Sequence, residues 1–225
     1  MQSDPDPAEP DPSAPEASPL ADFLARARTR LSPVPPPDYD HGAYASVNGD
    51  HAISDHRPPP SQAPRHAAVL VAVVARPEPT VLLTLRATTL STHAGQIAFP
   101  GGRVDPGDKD EVDAALREAR EEVGLASHLV RPLGFLDGYL SGTNFWIVPV
   151  VGLVAPNYAL TLNPAEVQEA FEVPLAFLMT PANHQRQSRE RDGVRRYFYA
   201  IPYEERFIWG VTAGLLRNLY MRVYA

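Results

Sequence analysis

Glu118, Glu121 and Glu122 stand at i, i+3 and i+4, so a helix through them carries three carboxylates on neighbouring positions of one face. Like charges at i,i+4 destabilise an isolated helix by about 0.2–0.5 kcal/mol per pair. Arg120 and Arg117, which lies four residues before Glu121, offset part of that repulsion. A cation would offset more, and hard carboxylate oxygens suit Mg²⁺ or Mn²⁺ rather than zinc. Upstream lies Phe99-Pro100-Gly101-Gly102, then a loop containing Asp105-Pro106-Gly107-Asp108. Adjacent glycines let backbone approach a ligand closely and reach positive φ. A glycine-rich loop leading to an acidic helix can hold a metal-bridged diphosphate, backbone groups meeting phosphate oxygens while the glutamates hold the cations. Taken singly, E-x-x-E-E also reads as a solvated acidic face and Gly101-Gly102 as a tight turn.

Periodicity shows the elements that must position these residues. Asp110–Val123 reads as a helix whose apolar stripe is Val112, Ala115, Leu116, Ala119 and Val123. Asp110, Glu111 and Asp113 favour its positive N-terminal end, and Gly124 suits the left-handed position that ends it. Ala67–Ala75 and Val81–Arg86 are β-branched or Leu-rich runs around Arg76-Pro77-Glu78-Pro79, which predicts two strands and a turn. Gln96–Ala98, Leu133–Leu140, Phe145–Val154 and Arg195–Ile201 read as further strands, and Trp209–Val223 as a closing helix. Strands interleaved with helices, without internal repeats, predict an α/β fold with a mixed sheet covered by helices.

The chain of 225 residues is 44% apolar and 21% charged, enough to bury a core. It has no cysteine, which excludes disulfides, Cys-ligated zinc, iron–sulfur clusters and a thiol nucleophile. No apolar run approaches the ~18–20 residues that span a bilayer, and the N-terminus is acidic and proline-rich, unlike a signal peptide. A cytoplasmic protein with no membrane partner is expected. Of the formal charge of -7, most comes from Asp4, Asp6, Glu9, Asp11 and Glu16, so the remainder is near neutral and indicates no nucleic-acid partner. Fourteen of the 25 prolines lie in the first 64 residues. The expected organisation is a disordered acidic tail over 1–19, an amphipathic helix over 20–31, a Pro-rich linker over 32–62 and a globular domain over 63–225.

The stretch from Gly102 through Arg117-Glu118-Ala119-Arg120-Glu121-Glu122-Val123-Gly124-Leu125 resembles the Nudix box, a glycine followed by a glutamate and then R-E-U-x-E-E-x-G-U. The second half matches at every specified position. The first half carries one extra residue, Lys109 stands at the regular place of the upstream glutamate, and no ligand role passes to Glu111. Leu82–Gly102 (LLTLRATTLSTHAGQIAFPGG) looks like the second motif of the coenzyme A pyrophosphatase branch, with Ser91 in place of an arginine. Ile208–Ala213 (IWGVTA) is similar to that branch's terminal helix.

This resemblance implies a Nudix-type α/β/α sandwich, a mixed β-sheet between helices. It also implies metal-dependent hydrolysis of a diphosphate linkage in a small-molecule nucleoside diphosphate derivative, with Mg²⁺ or Mn²⁺ as cofactor. The substrate it points to is coenzyme A or a derivative, cleaved to 3′,5′-ADP and a 4′-phosphopantetheine compound. ADP-ribose, dinucleotides or other nucleoside diphosphate compounds are the alternative, and a non-catalytic ligand sensor a further one. Glu118 and Glu122 are the expected primary metal ligands, because i,i+4 carboxylates can share one ion. Glu121 is either a further ligand, directly or through water, or a salt-bridge partner of Arg117, which is expected to orient the carboxylates. Glu166, in Asn163-Pro164-Ala165-Glu166-Val167, is either the general base or a structural carboxylate, with Asp137 and Asp192 as weaker candidates. Arg86 either binds a substrate phosphate or pairs with a helix glutamate, and His93 either donates to a phosphate or bonds backbone. Gly101 and Gly102 are expected against the substrate. Phe145, Trp146, Tyr197, Phe198, Tyr199 and Trp209 read chiefly as core or strand pairs.

Overall fold

The computed structural model describes residues 18–54, 60–90, 92–191 and 194–225. Nearly all of the expected tail, residues 55–59 of the Pro-rich stretch, Ser91 and Asp192 lie outside the described residues. Helix α1 (Pro19–Arg30) opens with Ser18, whose hydroxyl accepts from the Ala21 amide, and with proline in its first turn, where no amide donor is missed. It buries Phe23 and Ala27. The Pro-rich stretch then folds onto the domain, with two 3₁₀ turns (His41–Ser46 and Asp50–Ile53) flanking β1 (Asn48–Gly49). Asp40 caps the first turn through the Gly42 amide, and Tyr39 packs its ring 5.8 Å from that of Trp146.

The main sheet continues with β2 (Arg65–Val74), β3 (Thr80–Arg86), β4 (Ile97–Ala98) and β5 (Gly101–Arg103), followed by α2 (Glu111–Val123). After it come β6 (Val130–Phe135), β7 (Tyr139–Leu140), β8 (Phe145–Val154) and β9 (Val167–Pro174), then α3 (Leu175–Leu178). A separate three-stranded sheet of β10 (Gln185–Arg191), β11 (Val194–Tyr203) and β12 (Arg206–Trp209) leads into α4 (Val211–Val223).

Among the described residues the main sheet has nine strands, ordered β1-β7-β8-β2-β3-β4, with β5 also on β2, β6 on β8 and β9 on β3. It is mixed. β2 and β8 run parallel at its centre, and β2 pairs antiparallel with β3 and β5. From Ala67 to Val74, where both its faces are covered, β2 is an unbroken apolar run. Ala68, Leu70, Ala72 and Val74 pack with Ala114, Ala115, Ala119 and Val123 of α2, while Val71 and Val73 pack with Phe23 of α1 and Leu215, Leu216 and Leu219 of α4. The result is the expected layering of helix, mixed sheet and helix. Among the described residues, no helix is long and apolar enough to cross a membrane.

Three local expectations need revision. Leu133–Leu140 is two strands, not one, because the chain breaks where Gly138 sits against the Trp146 ring, leaving no room for a Cβ. Trp209 ends β12 instead of opening the last helix, and Gly210 turns the chain at φ 62 before α4 starts at Val211. On α2, Ala114 is fully buried, whereas Val112 and Leu116 are only partly covered.

Strand β9 carries Glu172 in its middle, and the strand tolerates it because the carboxylate is fully paired. Arg76 donates two bonds at 2.6 and 2.7 Å, Tyr158 donates one at 2.6 Å, and the Thr80 hydroxyl donates another. The Arg76 guanidinium above all holds the Glu172 carboxyl down at about 2, from an ordinary 4.5. A depressed folded-state value stabilises the fold above the unfolded value, and that contribution is lost as the pH falls through the folded one. Glu172→Gln is therefore expected to cost about 2 kcal/mol at pH 6 and distinctly less at pH 3, measured by denaturant unfolding. Equal costs at both pH values would show that the carboxylate contributes by shape and not by charge.

Candidate active site

Helix α2 is well punctuated. The Asp110 carboxylate accepts from the Asp113 amide at 2.8 Å, and Gly124 ends the helix at φ 71. The same residues that make the helix aim its carboxylates. With Ala115 and Ala119 against the sheet, Glu122 is nearly inaccessible at 2% exposure, Glu118 is half-buried, and Glu121 is exposed.

Glu118, Glu122 and Glu166 each place a carboxylate oxygen within 4.8 Å of the others. Glu122 is fixed from two sides: the Gly101 amide donates to Oε2 at 3.1 Å, and the Arg86 guanidinium lies 3.6 Å from Oε1. Burial pushes its carboxyl up to about 7, against the opposing pull of the Gly101 amide and Arg86. Burial also raises Glu118, although Arg117 favours its charged form. A buried carboxylate crowded by two others offers oxygen donors of the kind that a hard divalent ion takes. The helix stripe alone grouped Glu121 with Glu118 and Glu122; in the fold it is Glu166 that joins that pair, and Glu121 meets Arg117 at 3.0 Å.

Arg117 is the hub of the outer side. It donates to both oxygens of Asp108 at 2.8 and 3.0 Å, to Glu118 and Glu121 at 3.0 Å, and to the Arg103 carbonyl at 3.0 Å. The Asp108 carboxylate is only 3% exposed, and this fork holds its pKa below the usual carboxylate range. Asp108 had not been singled out from the sequence. The available signal was its position just ahead of the helix, nine residues before an arginine.

Gly102 completes the inner side. A Cβ there would run into the Glu118 carboxyl group, so only glycine leaves that carboxylate in place. Since the obstacle is the end of a flexible side chain, Gly102→Ala is expected to change stability by less than about 1 kcal/mol. The same change is expected to weaken Mn²⁺ binding by about tenfold or more, read by calorimetric titration. Unchanged affinity would mean that Glu118 has no fixed role.

Glu166 comes from a loop that is tied to the end of α2. The Thr161 and Asn163 amides donate to the carbonyls of Val123 and Glu122 at 2.9 Å, using acceptors the helix leaves open. Asn163 accepts from the Ala165 amide and donates through Nδ2 to Glu166 Oε1 at 3.1 Å. The Glu166 carbonyl accepts from the Ala87 amide at 2.8 Å, joining the loop to the end of β3.

A cleft of about 380 Å³ opens on the opposite side of the Gly101–Gly102 backbone. Arg86 and His93 line it, as do Phe99, Phe145, Trp209 and Thr212. The β3–β9 register shifts between Leu85 and Arg86, so Arg86 leaves the ladder where the site begins, and its buried Nε has no hydrogen-bond partner among the described residues. His93 sits at φ 57 with Nδ1 2.8 Å from Gln96 Oε1. Thr212 donates to the Ile97 carbonyl at 2.8 Å, which ties α4 to the strand before the glycines. Asp137 is not among the clustered carboxylates; it pairs with Arg222 at 3.2 Å. Of the aromatic residues, Trp146 is buried, Phe198 meets Trp209 edge-on, and Arg186 covers Tyr197.

The family model of the NUDIX domain matches residues 64–196. The Nudix hydrolase NudL of Photorhabdus laumondii, described as uncharacterized, is 43% identical over 204 residues, 91% of this chain and 97% of its own. The protein of the same description from Yersinia pestis is 38% identical over 91% of this chain and 94% of its own. Among solved structures, DR0079 of Deinococcus radiodurans is similar with a TM-score of 0.47 and 18% identity over 76% of this chain and 90% of its own. An Ap4A hydrolase of C. elegans gives 0.43 and 22% over 49% and 80%. The chain belongs to the Nudix hydrolase family and is accordingly a pyrophosphohydrolase of nucleoside diphosphate derivatives.

Proposed function

We propose that this enzyme hydrolyses the diphosphate of coenzyme A or its derivatives, giving 3′,5′-ADP and a 4′-phosphopantetheine compound, with Mg²⁺ or Mn²⁺ held by Glu118 and Glu122 and with Glu166 beside them as the base. The observation that supports this substrate is the composition of one cleft. Arg86, His93, Phe99, Gly101 and Gly102 from the L-L-T-x-R motif meet Trp209 and Thr212 from the I-W-G-V-T-A motif there. Its floor of Ala67, Val69, Ile147 and Leu215 is apolar, suited to an extended pantetheine-like arm beside a charged diphosphate.

A divalent cation, when bound, neutralises charge on the diphosphate and lowers the pKa of water. The chain's own groups do the rest. Gly101 and Arg86 hold Glu122 in one rotamer, Arg117 and the Gly102 backbone hold Glu118, and Asn163 presents Glu166. Glu166 is the group placed to accept the proton of the attacking water, since its loop position lets it face solvent and the other carboxylates together. Arg86 compensates Glu122 and, with the rest of its side chain partly exposed at the cleft, is placed to meet a phosphate oxygen there. Glu121 buttresses Arg117.

The full chain should be assayed with Mg²⁺ or Mn²⁺ against coenzyme A, ADP-ribose and a diadenosine polyphosphate, with products resolved by anion-exchange chromatography. Release of 3′,5′-ADP as the fastest reaction is expected. Intact coenzyme A beside hydrolysed ADP-ribose or dinucleotide would replace the substrate, and ligand binding without any product would replace the enzyme by a sensor.

A further inference from the structure

Strand β5 points its side chains alternately to the two sides of the sheet. Its register sets Gly102 opposite Ala68 and Arg103 opposite Ala67. Gly102 therefore faces α2 and Glu118, whereas Arg103 faces the cleft. On that cleft side the parallel β2–β8 register sets Arg65 beside Phe145. The Arg65 guanidinium lies 4.0 Å from the centre of the Phe145 ring and donates to the Thr143 carbonyl at 3.4 Å; that of Arg103 lies 6.0 Å from the same ring.

Both arginines are exposed, and neither has an ion-pair partner among the described residues. This distinguishes them from Arg86 and Arg117, which are engaged with carboxylates of the site. Beyond the acidic first twenty residues the chain is near neutral, so two guanidinium groups gathered at one aromatic ring are a local excess of positive charge. The Phe145 ring and the Thr143 carbonyl fix the Arg65 guanidinium, and the Arg103 guanidinium beside it, at the edge of the same ring, keeps its fork for a phosphate. The Arg103 main chain is in turn held by Arg117 through its carbonyl. Arg103 stands two residues beyond Gly101, roughly 7 Å along the strand, a distance a ribose spans.

We infer that Arg103, assisted by Arg65, binds a phosphate monoester on the substrate's ribose, distinct from the diphosphate that is cleaved, and so selects ribose-phosphorylated nucleoside diphosphate derivatives. The identity of the substrate rests on the coenzyme A reading; the anion site itself does not.

The test is calorimetric binding of 3′,5′-ADP and 5′-AMP to the full chain without metal, for the native protein and for Arg103→Gln, Arg103→Lys and Arg65→Gln. The native protein is expected to bind 3′,5′-ADP about tenfold or more tightly than 5′-AMP. Arg103→Gln should abolish that preference while leaving 5′-AMP affinity within about twofold, Arg103→Lys should keep part of it, and Arg65→Gln should reduce it. No preference in the native protein, a preference that survives Arg103→Gln, or equal weakening of both ligands would each overturn the inference. An Arg103-dependent preference in an enzyme that leaves coenzyme A intact would instead remove the substrate reading and keep the site.

Discussion

Glu122→Gln is expected to lower turnover by more than about a hundredfold and, in the absence of metal at pH 8, to make the protein more stable. The first effect follows from its place among the clustered carboxylates. Disturbing groups that merely support a metal ligand costs about 10–100-fold, and losing the charged ligand itself costs more. The second follows from burial, which pushes the Glu122 carboxyl up to about 7 in the fold against an ordinary 4.5. A carboxylate whose folded value is raised favours the fold fully below its unfolded value, and that favour is lost as the pH rises through the folded one. Above pH 7 the native protein must keep a buried charge that glutamine does not carry, while glutamine still accepts from the Gly101 amide. The gain is about 1–3 kcal/mol at pH 8 and vanishes near pH 4, measured by denaturant unfolding with a chelator present. Addition of Mn²⁺ should stabilise the native protein and not the variant. A variant that is less stable than the native chain under chelation at pH 8 would show that Glu122 is chiefly a structural partner of Arg86.

Arg117→Ala is expected to cost about 3–5 kcal/mol and most of the activity. Its removal strands Asp108, a carboxylate almost fully buried under the fork, and frees Glu118 to turn away. Lysine in its place keeps the charge but cannot bond Asp108, Glu118 and the Arg103 carbonyl together, so intermediate stability is expected. Asp108→Asn added to Arg117→Ala separates the two roles: it should restore most of the stability, since the stranded Asp108 charge is gone, without restoring turnover. Recovery of both together would show that Arg117 acts only on the fold.

The parts of this arrangement that were legible in the sequence are those that local chemistry dictates. The α2 stripe, its Asp110 cap and its Gly124 stop follow from 3.6-residue spacing and end chemistry, so the direction of Glu118 and Glu122 was readable. β2, β3 and β8 were readable because strands buried on both faces are continuous apolar runs. β9 was not, because Glu169 and Glu172 interrupt its pattern and are satisfied only by Arg206 and Arg76 from distant segments. β10, with the sequence QRQSRER, has no apolar residue and owes its form to pairing with β11. Glu166 was legible as a base candidate through the family resemblance alone, because its contact with Glu118 and Glu122 depends on Thr161 and Asn163 capping the helix end. Arg103 carries no local signal, since its neighbours, Phe145 and Arg65, come together only through strand register.

The central pairing of β2 with β8 joins segments about eighty residues apart in the chain. Such a seam closes only after a large loop has been immobilised, at an entropic cost that nothing local repays in advance. Acquisition of the native state should therefore be slow and late for the very strand that anchors Arg103 and the glycine turn, and Leu70 and Val150 amides should be among the last to exchange with deuterium. Competence for chemistry would then arrive in one step with closure of the sheet, so that no partly assembled intermediate could turn over substrate.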